Sequence, residues 1–467
     1  MLDDFRHLLG ENAVLSEAEE TEPFLKEWRG LYQGKALAVL RPGSTSEVSD
    51  AVRMAAKHGL KIIPQGGNTG LVGGQIPNDT KRHVILSTER LNGIREVNSD
   101  GNFMTVEAGV VLENIQKAAD EIDRFFPLAL GSQGTCQIGG NISTNAGGTG
   151  VLAYGNTRDL ILGLEVVLAD GSVWNGLRAL RKNNTGYDLK QLFIGAEGTL
   201  GIVTAAVVKL FPKPRGRQVA FMAFDSPHAA LATLNIGQGL ASGNLTGFEL
   251  MPRIGLDYTT THLDDARDPI ADQYPWYALV EISSGRAEQE AEALMTELFE
   301  QAFEAGYVLD AALAQSSKQQ DDFWRLRHGM SAVQKFEGGS IKHDVSVPVS
   351  AMPDFIMEAS KAVQSALPGC RPVPFGHLGD GNIHFNVSQP IGADKDDFLA
   401  QWDRINDIVH DIVLRYDGSV SAEHGIGRLK AKLMPSIKSD IELNMMRQIK
   451  ASMDPTGLFN PGALIPD

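Results

Sequence analysis

The chain has 467 residues, which is too long for one ordinary hydrophobic core and predicts two or three domains. Its formal net charge of −16 opposes binding to nucleic acid or to an anionic membrane surface. Hydrophobic residues make up 43% and charged residues 21%, a globular composition that excludes long disordered tails.

The two cysteines, Cys136 and Cys370, are isolated in the sequence. Neither a disulfide framework nor a cysteine-ligated cluster can be built from them, which fits a reducing compartment. The N-terminus lacks a basic segment followed by an apolar core, and no run of about 18 apolar residues occurs anywhere. We therefore expect a cytoplasmic protein without a membrane span.

The first third of the chain alternates helical and strand patterns. Ser44-Thr45-Ser46-Glu47 has the form of a capping box before a helical pattern, and Gly59 stands where such a helix would end. The short apolar runs LKIIP and HVILST read as strands on either side of a glycine-rich loop. This alternation predicts an α/β arrangement in the first third.

That glycine-rich loop, QGGNTGLVGGQ at 65–75, has glycines at positions 66, 67, 70, 73 and 74. Successive backbone N–H groups without Cβ atoms can converge on a phosphate or pyrophosphate. No Gly-Lys-Ser/Thr follows, and no GxGxxG opens a helix after a strand, so the P-loop and Rossmann interpretations lose their support. Taken alone, the glycines could serve only as turns.

Two further glycine-rich stretches change that balance. IGGNISTNAGGTG at 138–150 surrounds its glycines with small hydroxyl and amide side chains, and GAEGTLGIVT follows at 195–204. Three such stretches in one half of the chain predict a nucleotide cofactor held along an extended contact.

The segment FPKPRGR at 211–217 is the best candidate for a domain boundary. After it, helical patterns such as EQEAEALMTELFEQAFEAG alternate with strand-like runs such as WYALVEIS. We expect an α+β domain with an antiparallel sheet and helices on one side of it. The expected domains are 1–215, 216–415 and a C-terminal segment, 416–467.

The stretch GHLGDGNIHFN at 376–386 predicts a β-hairpin, because Asp380-Gly381 suits a two-residue turn. In that register His377 would face His384 directly, close enough for both imidazoles to bind one metal ion. The alternative is that each histidine is an ordinary surface or hydrogen-bonded core residue. Asn386 would project to the same face as His384 and could bind a substrate carboxylate, unless it is simply a solvated strand residue.

A third ligand for such a site is available in SAEHGIG at 421–427. Glu423 offers a carboxylate, and His424 stands beside it as a candidate base. Two histidines and one carboxylate leave an open coordination position, as in catalytic zinc sites, although Mn²⁺ or another divalent ion is an alternative.

A cationic anchor for an acidic substrate could come from WRLRHGMS and SIKHDVS. Arg327 and Ser331 are four residues apart and share a helix face, and Lys342 follows in a strand-like run. Arg327 as an ordinary surface cation is the alternative.

At this point the motifs resemble a known family. PQGGNTGLVGG, IGGNISTNAGG with YGNTRDLILGLEVVLADG, and GAEGTLGIVT are similar to the flavin-binding domain of the vanillyl-alcohol oxidase family, also called the PCMH-type FAD fold. The resemblance implies a two-subdomain FAD-binding domain, an α+β substrate (cap) domain, and a C-terminal segment that returns to the flavin. The FAD-binding residues it implies are Gly66, Gly67, Asn68, Thr69, Gly70, Leu71, Gly73, Gly74, Gly139, Gly140, Ser143, Asn145, Gly148, Gly198, Gly201, Ile202 and Asn460. Residues 64–75 contain no histidine to tether the flavin, so the resemblance implies noncovalent FAD.

GHLGDGNIH and AEHGIG resemble the metal-binding signatures of the D-2-hydroxyacid dehydrogenase branch. By this resemblance His377, His384 and Glu423 bind zinc, and His424 acts as base and contacts substrate. WRLRHGMS and IKHDVSVP resemble the segments that hold the distal carboxylate in D-2-hydroxyglutarate dehydrogenases, which implies roles for Arg327, Ser331 and Lys342.

The implied reaction is oxidation of D-2-hydroxyglutarate, and of D-malate as a further substrate, to the 2-oxo acid. The hydride goes to flavin N5, and the metal assists deprotonation of the hydroxyl. Electrons would leave through an acceptor such as electron-transfer flavoprotein. Alternatives are a D-lactate dehydrogenase, a 2-hydroxyacid oxidase or a non-enzymatic nucleotide-binding module, and the sequence leaves the oligomeric state open, with a homodimer as one candidate.

Overall fold

A computed structural model describes residues 1–78 and 82–466. It divides into two compact units. The first unit comprises Met1–Gly147, Gly155–Lys213 and Glu423–Asp467, and the second comprises Gly148–Tyr154 and Pro214–Ala422. The first unit is therefore assembled from the beginning, an internal stretch and the end of the chain.

Helices occur in both units. In chain order the α helices are α1 (Leu2–Leu9), α2 (Ala18–Leu25), α3 (Thr45–Lys57), α4 (Leu112–Glu121), α5 (Ile138–Thr144), α6 (Val151–Tyr154), α7 (Thr157–Leu160), α8 (Lys190–Phe193), α9 (Pro227–Ala241), α10 (Arg253–His262), α11 (Glu288–Glu304), α12 (Ser317–Val333), α13 (Met352–Ala366), α14 (Lys395–Leu399), α15 (Trp402–Arg415), α16 (Met434–Ile437) and α17 (Asp440–Met453). Short 3₁₀ helices occupy Glu11–Ala13, Ser242–Asn244, Gln334–Glu337, Val349–Ala351 and Ala431–Leu433. Across the described part of the chain, no helix has the length and apolar character needed to cross a membrane.

The strands of the first unit are β1 (Val14–Leu15), β2 (Ala38–Leu40), β3 (Lys61–Gln65), β4 (His83–Ser87), β5 (Ile94–Asn98), β6 (Phe103–Glu107), β7 (Arg124–Phe125), β8 (Ile161–Val167), β9 (Val173–Gly176), β10 (Ile202–Lys209) and β11 (Phe211–Pro212). Those of the second unit are β12 (Gly216–Phe224), β13 (Leu245–Pro252), β14 (Trp276–Ser284), β15 (Asp310–Leu313), β16 (Ser340–Ser346), β17 (Arg371–His377) and β18 (Asn382–Ser388).

The first unit contains a sheet of order β1-β2-β4-β3 and an antiparallel sheet of order β5-β6-β10-β8-β9. In the former, β2, β4 and β3 are parallel, and α3 connects β2 to β3. The Ser44 side chain accepts a hydrogen bond from the backbone N–H of Glu47 at the start of α3, and Gly59 follows its end with φ of 63°. The α/β arrangement predicted for the first third is confirmed.

The C-terminal segment completes the core of the first unit. Phe459 is fully buried and forms a parallel bridge with Ile62 of β3. The buried Asp454 carboxylate accepts hydrogen bonds from the backbone N–H groups of Leu458 and Phe459. The Lys450 ammonium donates to Asp454 and to the Phe459 carbonyl. These contacts fix the backbone that leads to Asn460.

The second unit is built on one antiparallel sheet of order β15-β12-β14-β13-β17-β18-β16. On β12, Val219, Phe221 and Ala223 share a hydrophobic cluster with residues of α10 and α12. The alternate residues of that strand, from Ala220 to Phe224, are equally buried on the opposite face. Helices α9 and α11 also contact β12 and contribute no residue to that cluster, so helices cover both faces of the sheet. The expectation of helices on one side was wrong because both faces of the strands are apolar.

We expect Phe459→Ala to lower the unfolding free energy of the first unit by about 3–5 kcal/mol, because it leaves a cavity beneath β3. Calorimetric melting of the purified protein measures the change. Phe303→Ala is the matched control, since Phe303 is 52% exposed on α11. Equal melting temperatures for the two variants would contradict the structural role of the C-terminal segment.

Candidate active site

The first unit contains a cavity of about 770 Å³. Its walls come from the loop after β3, the loop before α5, α5 itself, the stretch before β10 and the C-terminal segment. The lining residues are Trp28, Pro64, Gln65, Gly66, Gly67, Asn68, Thr69, Gly70, Leu71, Val72, Gly74, Gln75, Thr88, Leu130, Gly131, Ser132, Thr135, Gln137, Gly139, Gly140, Asn141, Ser143, Thr144, Ala146, Gly147, Glu197, Gly198, Gly201, Ile202, Val203, Glu423, His424 and Asn460. The three glycine-rich stretches therefore converge on one cavity.

Glycine is required here for two different reasons. A Cβ at Gly67 would overlap the Thr135 carbonyl, and Gly198 has φ of 67° with Pro64 beside it, so these positions need glycine for backbone packing. A Cβ at Gly140, by contrast, would meet no atom within 4 Å. Gly140 lines the cavity, so a side chain there would take space from a ligand rather than from the protein.

Three side-chain oxygens in the cavity wall fit a ligand with N–H or O–H donors. Gln65 Oε1, Asn68 Oδ1 and Asn141 Oδ1 are buried and have no hydrogen-bond partner among the described residues. The amide nitrogen of Gln65, in contrast to its oxygen, is hydrogen-bonded, since Nε2 donates to the carbonyls of Phe24 and Gln75. Buried acceptors without partners are costly, so a ligand that supplies donors would stabilise them. The residues present fit a dinucleotide cofactor.

Most residues predicted to hold FAD line this cavity, and three do not. Gly73 packs against the ring of Tyr32, where a Cβ would collide with it. Asn145 caps the end of α5 in the left-handed conformation, and its Oδ1 accepts a hydrogen bond from the backbone N–H of Arg158. Gly148 belongs to the second unit.

Several lining residues were missed in the sequence, although signals for some of them were present. Gln65 directly precedes the first glycine, Asn141 directly follows the Gly-Gly pair of α5, and Gln137 lies two residues before that pair. Thr88 Oγ1 donates to Gln137 Oε1 at 2.7 Å, which fixes one of these amides beside the cavity. Polar residues that border a glycine cluster are therefore part of the same signal.

Glu197 is the most consequential of the missed residues. Its carboxylate accepts hydrogen bonds of 2.7 Å from the backbone N–H groups of Ile426 and Gly427. Burial raises the pKa of Glu197, and these two N–H groups oppose the shift. Glu197 thereby holds the segment that places Glu423 and His424 in the cavity wall.

Asn460 of the C-terminal segment also lines the cavity. Its side-chain amide donates to the backbone carbonyls of Gly74 and Glu197, at 3.0 and 2.9 Å. One asparagine therefore ties the first glycine loop, the third glycine stretch and the C-terminal segment together at the cavity.

In the second unit, β17 and β18 form the predicted hairpin, but the register differs from the expected one. His377 pairs with Asn382 and Phe375 with His384, so the connecting loop has four residues, Leu378–Gly381. The expectation that the two histidines face each other directly was wrong. A shift of two residues keeps both side chains on one face, and their ring centroids lie 5.7 Å apart.

Each histidine of this pair has a carboxylate beside it. His377 Nδ1 lies 2.6 Å from Glu249 Oε1, and His384 Nδ1 lies 4.0 Å from Asp344 Oδ1. Burial alone would raise the pKa of Glu249, but Arg327 and His377 outweigh it and lower the pKa to about 2. Because Nδ1 of His377 faces Glu249, a metal ion would bind this imidazole at Nε2, and a histidine with a carboxylate at its other nitrogen fits the donor set of a zinc site.

Arg327 is buried on α12, and its Nε donates to Glu249 Oε2 at 2.7 Å. Its guanidinium lies over the Phe375 ring, 4.9 Å from the centroid. Arg327 Nη2 is buried without a hydrogen-bond partner among the described residues. A buried, unsatisfied guanidinium nitrogen fits a site that receives an anion.

Ser331 and Lys342 contact each other, since Lys342 Nζ donates to the carbonyl and hydroxyl of Ser331 at 2.9 and 3.2 Å. Asn386 is opposite Lys342 across β16 and β18. It is only 2% exposed, and its Nδ2 donates to Gln334 Oε1, so it is not a solvated strand residue. Its contact with substrate stays a prediction.

Glu423 and His424 belong to the first unit, and His377, His384, Arg327, Ser331, Lys342 and Asn386 belong to the second. The hypothesis that the two sets act together stays a prediction. Glu249 and Asp344 were missed in the sequence. An acid inside the apolar strand LTGFELMP is one signal for Glu249, and Asp344 stands two residues from Lys342 on the same strand face.

Two family models match the chain. Residues 36–176 match the FAD binding domain, and residues 213–464 match the C-terminal domain of FAD linked oxidases. The first match contains the loop after β3 and α5, and the second contains both histidines and the 423–427 segment.

Curated relatives match over almost the whole chain. D-2-hydroxyglutarate dehydrogenase from Xanthomonas citri pv. viticola is 38% identical over 96% of this chain and 93% of its own length. The mitochondrial enzyme of that name from Rattus norvegicus is 37% identical over 97% of this chain and 82% of its own length. The D-2-hydroxyglutarate dehydrogenase from Stutzerimonas stutzeri is 34% identical over 99% of this chain and 98% of its own length.

Solved structures share the fold at lower identity. p-Cresol methylhydroxylase with substrate bound aligns with a TM-score of 0.78 at 16% identity, over 100% of this chain and 96% of that chain. 4-Ethylphenol oxidase from Gulosibacter chungangensis aligns with a TM-score of 0.73 at 19% identity, over 100% of this chain and 97% of that chain. The predicted PCMH-type α+β fold is confirmed, and the chain belongs to the family of FAD-linked oxidases.

Proposed function

We propose that the protein is an FAD-dependent dehydrogenase that oxidises D-2-hydroxyglutarate, and D-malate as a further substrate, to the 2-oxo acid. Relatives of that name at 34–38% identity support the substrate class. The observation that carries the proposal is the bridge from Arg327 through Glu249 to His377. This bridge holds a buried cation that suits a carboxylate next to a histidine that suits a metal ion, which supports a 2-hydroxy dicarboxylic acid as the substrate.

The cavity of the first unit would hold FAD without a covalent bond. The glycine backbone of 66–74 and 139–140 suits the pyrophosphate, and the buried oxygens of Gln65, Asn68 and Asn141 suit its N–H and O–H donors. Bound FAD would supply the acceptor for the two electrons removed from the substrate carbon.

His377, His384 and Glu423 are the proposed ligands of a divalent ion, Zn²⁺ or alternatively Mn²⁺. Such an ion would act as a Lewis acid on the substrate hydroxyl. Each of the two imidazoles has a carboxylate nearby, with Glu249 Oε1 at 2.6 Å from His377 Nδ1 and Asp344 Oδ1 at 4.0 Å from His384 Nδ1.

His424 is the proposed base, which takes the hydroxyl proton at an imidazole nitrogen. Arg327, Ser331 and Lys342 are proposed to hold the distal carboxylate, and Asn386 to contact the substrate. Cys136 and Cys370 are buried and isolated, so they cannot hold a cysteine-ligated cluster that would carry the electrons onward. Electrons would then pass to an external acceptor such as electron-transfer flavoprotein.

Anaerobic flavin bleaching with a panel of D- and L-2-hydroxy acids tests the substrate class. We expect D-2-hydroxyglutarate to bleach the flavin with a higher kcat/KM than D-lactate. Lys342→Met should raise KM for D-2-hydroxyglutarate about 10-fold or more, because a hydrogen bond to a charged group contributes about 1.5–3 kcal/mol. D-lactate has no distal carboxylate, so its KM should not change.

Lys342 is a cleaner position for this test than Arg327, because removal of Arg327 would leave the buried Glu249 with one partner fewer. Lys335→Met is the matched control, since Lys335 is an exposed lysine that lies over the Phe336 ring. If D-lactate is the better substrate and Lys342→Met affects both acids equally, the distal-carboxylate assignment fails.

Removal of the ion should lower turnover by at least about 100-fold, because a Lewis acid on the hydroxyl contributes several kcal/mol. The measurement is dialysis against a chelator, elemental analysis and assay, followed by addition of Zn²⁺ or Mn²⁺. An unchanged flavin spectrum during dialysis shows that FAD has stayed bound. Full activity with no bound divalent ion would disprove the metal role.

Glu197→Gln should loosen the 423–427 segment, because the amide nitrogen cannot accept from a backbone N–H and a lost buried hydrogen bond costs about 1–3 kcal/mol. Hydrogen exchange at Ile426 and Gly427 should accelerate by about 5-fold or more, with lower turnover. Glu165→Gln is the control, since the buried Glu165 accepts from Thr45 and Thr204 instead. Unchanged exchange at Ile426 and Gly427 would contradict the role of Glu197.

A further inference from the structure

Glu249 is the one charged residue of its strand, LTGFELMP. It lies on β13, and its side chain is 1% exposed. One carboxylate oxygen lies 2.6 Å from His377 Nδ1, and the other accepts from Arg327 Nε at 2.7 Å. All three residues belong to the second unit, so their geometry is fixed within one compact body.

The contact with His377 selects one form of its imidazole. A carboxylate next to Nδ1 accepts the proton of that nitrogen, so the lone pair is on Nε2. The same contact fixes the ring orientation, and His377 pairs with Glu249 in register across β13 and β17. The backbone pairing and the side-chain hydrogen bond therefore agree on one position of the ligand nitrogen.

The contact with Arg327 fixes the second functional group. Glu249 holds Nε on one edge of the guanidinium, and Phe375 lies beneath its face. These two contacts leave the buried Nη2 without a partner among the described residues. Because the guanidinium is planar, fixing one edge and one face also fixes the direction in which Nη2 donates.

We propose that Glu249 is a positioning residue that orients the metal ligand His377 and the substrate anchor Arg327 together. It thereby couples binding of the divalent ion to recognition of the distal carboxylate. This inference rests on the proposed function and adds a residue to it. Glu249 acts through its two neighbours and needs no contact with the substrate.

The sheet offers a matched control in Glu281 of β14. Its carboxylate accepts from Arg217 Nε at 2.7 Å and from Trp324 Nε1 at 2.8 Å, and Trp324 packs in the same hydrophobic cluster as Phe375. Glu281 is thus a largely buried carboxylate with an arginine partner and a ring N–H partner, but without His377 or Arg327. Glu281→Gln reports the cost of removing such a charge from the sheet.

The first measurement is the affinity of metal-depleted protein for Zn²⁺ and for Co²⁺, whose visible absorption reports its ligands. We expect Glu249→Gln to weaken binding about 10–100-fold, as for other carboxylates that orient a metal-bound histidine. Glu281→Gln should bind both ions as the wild type does. This readout does not depend on turnover.

The second measurement is KM at saturating ion. Glu249→Gln should still raise KM for D-2-hydroxyglutarate by about 10-fold, because Arg327 is no longer held, while KM for D-lactate should change less. Glu249→Asp retains the charge but shortens the reach, so it should weaken ion affinity less than Gln does. It also replaces Glu249→Gln in both measurements if the latter does not fold.

Wild-type ion affinity and wild-type KM in the Glu249 variants would overturn the inference and leave the proposed function intact. A wild-type protein that binds no divalent ion would instead overturn the metal part of the proposed function, and the inference with it. Equal losses in the Glu249 and Glu281 variants would show a structural charge only, which also overturns the inference.

Discussion

The sites of both units depend on buried carboxylates that accept hydrogen bonds from donors of the protein itself. Glu249 is balanced by the cationic Arg327 and by His377, and its pKa falls to about 2. Glu197 is balanced by two backbone N–H groups, and burial still raises its pKa. A carboxylate in either setting is expensive to displace, so it fixes the atoms that satisfy it. Glu249 fixes the side chains of Arg327 and His377, whereas Glu197 fixes the backbone of Ile426 and Gly427.

The sequence predicted features that arise from local rules. Glycine positions identified the cavity wall because Gly67, Gly140 and Gly198 have no substitute in tight or ligand-facing backbone. Strand alternation placed His377 and His384 on one face. The register of their hairpin was mistaken because Leu378 does not extend it, and its N–H donates instead to the Phe248 carbonyl on β13. A two-residue shift preserves the face, so the error did not separate the histidines.

The features that the sequence could not predict are contacts between distant positions. Glu249 is 128 residues from His377 and 78 from Arg327, and Glu197 is 229 residues from Ile426. No periodicity or turn rule relates residues so far apart. A buried acid signals that a partner exists. Only the fold says which partner it is.

The discontinuous first unit has a consequence for synthesis of the chain. Its cavity includes Asn460, and its core includes Phe459 beside Ile62, so the chain must leave the ribosome as far as Asn460 before this unit can close. The sheet of the second unit is complete once Ser388 has emerged. The unit that begins first therefore finishes last, because the wall of its cavity is incomplete until Asn460 has emerged.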